Sequence, residues 1–95
     1  MYRQGEVEIF KTKKVKGKML PHKVIAEGET TGHKHEIIGE AELYEKNGVL
    51  YLSAKEEVEI IHPEHKAIRL PKGNYQIEFQ REYEIGEEEY KRVRD

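Results

Sequence analysis

Apolar and charged residues alternate one for one along much of this chain. In GEVEIF, Val7 and Ile9 face one way and Glu6 and Glu8 the other. In EEVEIIH, Val58, Ile60 and His62 oppose Glu57, Glu59 and Ile61. In the long final run, Tyr75, Ile77, Phe79, Tyr83 and Ile85 oppose Gln76, Glu78, Gln80, Glu82 and Glu84, with Arg81 on the apolar face. A period of two is that of a strand with one buried face, and it cannot build a helix with a continuous apolar stripe. Turn signals divide the strands. Asn47-Gly48, between AELYEK and VLYLSA, suits a type I′ hairpin because both residues tolerate positive φ. Pro63 removes a ladder donor and should end its strand or hold it at an edge. HKVIAEGE reads as a strand ending near Gly28, and IRLP as a short strand before a Pro-Lys-Gly-Asn turn. The pattern predicts an all-β fold, a small barrel or sandwich of seven to eight short strands. Residues 1–95 read as one domain. The tail GEEEYKRVRD, acids first and bases last, predicts a short C-terminal helix.

With 95 residues and no cysteine, the chain has neither disulfides nor thiolate ligands to staple it. No apolar run reaches the length of a membrane span, and MYRQGEVEIF lacks the layout of a signal peptide, so a cytoplasmic protein is expected. Charged residues make up 38% of the chain, yet the net charge is −2, and Asp95 is the sole aspartate. Abundant Glu and Lys with few thermolabile side chains is the composition of thermophile proteins. KTKKVKGK carries five lysines and no acid. Lys13, Lys14 and Lys16 are therefore the candidate contacts for nucleic acid phosphates. No aromatic residue interleaves with them to stack on bases, which favours a solvated loop. GETTG lacks the lysine and following helix of a P-loop, and Ser53 has no nucleophile-elbow glycines.

Four of the five histidines fall in two short clusters, TTGHKHEIIGE and HPEHKAIRLPKGNY. His33 and His35, two apart on a strand, project to one face. His62 and His65 flank Pro63-Glu64, a turn that can bring both imidazoles to one centre. Without sulfur, such a set suits a divalent metal such as Zn, Fe, Mn, Ni or Cu. The same spacing also suits histidines that hydrogen-bond backbone carbonyls, with His62 simply in phase with Val58 and Ile60. His22 belongs to neither cluster.

HKHEIIGE and LPKGNYQ resemble the two cupin metal motifs. That likeness implies His33, His35 and Glu40 as ligands, although Gln76 stands where the motif's last histidine would. A longer resemblance runs through RQGEV, TGHKH, HPEHKAIRLPKGNY and QREY. It is to a family of small uncharacterised proteins of bacteria, phages and archaeal mobile elements. It implies that Arg3, Gln4, His33, His35, His62, Glu64, His65, Gln80, Arg81, Glu82 and Tyr83 act as a group, and it carries no activity.

Two functional readings follow. One is a divalent-metal or polar ligand site formed by His33, His35, His62 and His65, with Glu40, Glu64, Gln80, Arg81 and Tyr83 as further candidates. The other is a noncatalytic interaction or oligomerisation module, paired with itself or a protein partner and associated with nucleic acid through the lysines.

Overall fold

A computed structural model of the chain describes residues 1–27 and 33–79. Among them are ten strands: β1 (Tyr2–Gln4), β2 (Val7–Thr12), β3 (Lys18–Met19), β4 (Val24–Glu27), β5 (Lys34–Ile38), β6 (Ala41–Lys46), β7 (Val49–Ala54), β8 (Val58–His62), β9 (His65–Leu70) and β10 (Gly73–Phe79). They form two antiparallel sheets, of order β1-β2-β10-β7-β6-β3 and β4-β5-β8-β9. The all-β expectation holds, and the sheets do not close into a barrel. Ten strands stand in place of seven or eight because β1 and β3 are edge pieces too short to show alternation. The predicted C-terminal helix and the far half of the final strand lie outside the described residues.

Period-two burial builds one core between the sheets. Val7 and Ile9 on β2, Tyr75 and Ile77 on β10, Leu52 on β7 and Leu43 on β6 meet Ile25, Ile37, Val58, Ile60 and Leu70 from the second sheet. Register aligns these side chains in rows, Tyr75 opposite Leu52 and Leu52 opposite Leu43. Tyr75 is fully buried, and its hydroxyl donates to the Pro71 carbonyl at 2.6 Å, so it packs rather than lining a site. Phe79, placed by alternation on the apolar face, is 42% exposed at the end of β10, beyond Ile77 in the core.

Among the described residues, three hairpins are closed by two-residue turns. Lys46 pairs with Val49 around Asn47 (φ 52°) and Gly48 (φ 81°), the two positive φ values that a type I′ turn needs. Gln4 pairs with Val7 around Gly5-Glu6, and His62 pairs with His65 around Pro63-Glu64. Proline fits the latter turn because its ring presets φ. The short strand expected at Ile68–Leu70 accordingly begins three residues earlier, at His65.

Candidate functional site

The β8–β9 hairpin has a fault in its ladder. Ile60 pairs with Ile68 and His62 with His65, which leaves Ile61 facing both Lys66 and Ala67. The extra residue on β9 is a bulge, and it shifts the phase of the strand by one. Without it, a strand that points Ile68 and Leu70 inward would point His65 outward. With it, His65 lies on the same side as His62.

The N-terminal hairpin fits this fault. The Gln4 side chain, 2% exposed, donates through Nε2 to the carbonyls of Ile60 and Lys66, both at 2.9 Å. One carbonyl lies just before the fault on β8 and the other within the bulge on β9, and the amide of an edge strand in the other sheet satisfies them both. The Oε1 of Gln4 lies 2.8 Å from Nδ1 of His35. Gly5 follows with φ +61°, and a Cβ there would sit 2.7 Å from Nε2 of His65. Glu6 completes the turn, its Oε1 3.7 Å from Nε2 of His35. Three consecutive residues of one turn thus touch the histidines.

All four clustered histidines come together. The His35 ring is 4.3 Å from that of His62 and 6.0 Å from that of His65, centre to centre. His62 is 4.6 Å from His65 and 5.8 Å from His33. Glu64 joins them, its carboxylate 3.5 Å from Nδ1 of His33 and its backbone N–H donating to Nδ1 of His62 at 3.0 Å. The rings cluster, but their nitrogens do not converge. Among the described residues, no group of three or more His, Cys, Asp or Glu side chains is arranged to hold a metal ion.

Burial lowers the pKa of His35, the neighbouring His62 and His65 lower it further, and Glu6 opposes them. His62 is also lowered, first by desolvation and then by the like charges of His65 and His33. Imidazoles this close disfavour one another's protonation, so His35 and His62 are held toward the neutral form. It opens to solvent beside a groove of about 420 Å³ lined by Lys34, Glu36, Ile61, His62 and Pro63.

Other candidates lie elsewhere. Glu40 is past the far end of β5, five residues and roughly 16 Å of extended chain from His35. There its backbone N–H meets Glu56 and its carbonyl meets Lys55. The cupin-like trio of His33, His35 and Glu40 is therefore not assembled. Lys13, Lys14 and Lys16 are exposed in the loop after β2, at the opposite end of that strand from Glu6. Gln80, Arg81 and Tyr83 lie outside the described residues. Gln4, Gly5 and Glu6 were the residues that spacing missed. Only the RQGEV resemblance pointed to Gln4, because no periodicity marks a buried amide on a three-residue edge strand.

Comparison with curated proteins found no match, and neither did comparison with solved structures. A family profile described as a domain of unknown function, DUF8820, matches residues 3–80. That span holds the N-terminal hairpin, both histidine clusters and β10. The chain belongs to the DUF8820 family, a domain of unknown function.

Proposed function

We propose that this small β domain binds one divalent transition metal at the histidine cluster, with His35 Nε2 and Glu6 as its anchor pair. The supporting observation is the meeting of two acceptors. His35 Nδ1 faces the Gln4 carbonyl oxygen and must donate to it, so its Nε2 carries a lone pair in the neutral ring. That lone pair faces a carboxylate oxygen at 3.7 Å, a repulsive arrangement unless a proton or cation lies between them. Burial and two neighbouring imidazoles disfavour the proton by more than Glu6 favours it. Two donors bound to one zinc at about 2.0–2.2 Å in a tetrahedron stand roughly 3.3–3.6 Å apart, close to this separation. Rings sharing such an ion have centres roughly 4.5–5.5 Å apart, near the spacings of His62 from His35 and His65. His65 is exposed and His33 and His62 half-exposed, so these rings would reach the ion by side-chain rotation, which for His62 gives up the hydrogen bond from the Glu64 N–H.

The test is elemental analysis of protein purified without a histidine tag and then dialysed against one equivalent of Zn²⁺. Wild-type protein retains close to one metal per chain, and His35→Ala and His62→Ala retain markedly less. Equal retention in all three contradicts the proposal.

A second reading, a noncatalytic interaction or oligomerisation module, draws on a different observation. Ile38 and Ile61 are 47% and 37% exposed and are diagonal neighbours on the outer face of β5 and β8. Light scattering would detect self-association on that face, as a dimer dissociated by Ile61→Glu. A wild-type monomer removes the oligomeric form of this reading.

A further inference from the structure

We infer that Gln4 is a positioning residue that fixes His35 as its Nδ1–H tautomer and so aims a bare Nε2 into the site. The consequence for metal rests on the reading proposed above; the tautomer itself does not.

The amide of Gln4 cannot be reversed. Its nitrogen donates to two backbone carbonyls, which can only accept. Turning the amide over would set an oxygen 2.9 Å from each of them. Oε1 must therefore face His35, and at 2.8 Å an acceptor there requires N–H at Nδ1. Glutamate offers no donor for the carbonyls, methionine offers no donor and only a weakly accepting sulfur, and asparagine is one methylene short. Three contacts demand two N–H groups and one oxygen from a single side chain, and glutamine supplies them. Because Gln4 is 2% exposed, no water readily substitutes for a lost contact.

His62 shows the opposite state. The Glu64 N–H donates to its Nδ1, so its proton resides on Nε2. Two rings 4.3 Å apart are thus held in opposite tautomers by two different groups, one a side-chain carbonyl and the other a backbone amide. Such a pair carries one bare Nε2, on His35, and one Nε2–H, on His62. Fixing the free nitrogen of a ligating histidine through a carbonyl is the usual means of raising its basicity and holding its ring.

Long-range ¹H–¹⁵N spectra of the imidazoles test this in the full, metal-free chain at about pH 8, above the ordinary histidine pKa of about 6.5. We expect the His35 Nε2 shift to be that of an unprotonated ring nitrogen and its Nδ1 shift that of an N–H, with His62 the reverse. A His35 proton on Nε2 overturns the inference. In Gln4→Met, which nearly fills the same volume, the His35 proton should move toward Nε2 and Zn²⁺ affinity should fall about 10–100-fold. A folded Gln4→Met with the wild-type tautomer also overturns it. Should that variant fail to fold, the wild-type spectrum alone decides. The expected wild-type tautomers with no Zn²⁺ uptake would sustain the role of Gln4 and defeat only the metal reading.

Discussion

An imidazole buried among other imidazoles gains little by taking a proton, and His35 shows what that does to stability. Its pKa is lowered by burial and then by His62, and that of His62 is lowered by desolvation. The unfolded values are about 6.5, so as pH falls the unfolded chain takes up these protons first. The stability that depends on neutral His35 and His62 is therefore complete above about pH 6.5. It is lost as pH falls from there through the folded values. Melting of metal-free protein followed from about pH 8 to pH 5 should show this loss, with a shallower dependence in His35→Asn. Identical slopes for the two proteins would contradict the assignment. The clustering of these side chains was legible from His-x-His and His-Pro-Glu-His spacing. The tautomers were not, because they depend on Gln4 and the Glu64 amide, and no local pattern links those to an imidazole.

The N-terminal hairpin is the element on which the site depends. It closes with Gly5 in the left-handed region, where an added Cβ would strike the His65 ring. Gly5→Ala should cost roughly 1–3 kcal/mol, measured by urea denaturation, through backbone strain and displacement of that ring. A loss near zero would mean that His65 moves freely and does not pack on the turn. In the β6–β7 hairpin, Gly48→Ala meets no steric neighbour but keeps φ at +81°, so its cost should be about 1 kcal/mol, from φ alone. That second turn was readable from Asn47-Gly48, since the dipeptide itself encodes the geometry. The bulge on β9 opposite Ile61 was not readable. It is set by two carbonyls finding a glutamine from a different sheet, a long-range event without a sequence mark. The Gly5-Glu6 turn was visible as punctuation, but its contacts with the histidines were not.

The two sheets share their apolar interior, and alternation alone identified most of it. Val7, Ile9, Val58, Ile60, Tyr75 and Ile77 were placed on buried faces by period two, and all are buried. Leu52, fully buried at the centre of the six-stranded sheet, is the most direct probe of that interior. Leu52→Ala should cost about 2–5 kcal/mol in chemical denaturation by leaving a cavity between the sheets. At this scale the histidine cluster joins the molecule's parts: β1 and the β1–β2 turn come from one sheet, and β5, β8 and β9 from the other. A metal held there would bind the folded state and not the unfolded one, and would raise the melting temperature by linkage. The measurement closest to the central claim is X-ray absorption fine structure of the protein loaded with one equivalent of Zn²⁺. We predict a shell of four nitrogen and oxygen ligands at about 2.0–2.1 Å with the outer scattering of two or more imidazole rings, reduced in His35→Ala. An all-oxygen shell without imidazole scattering, unchanged by that substitution, would contradict the account.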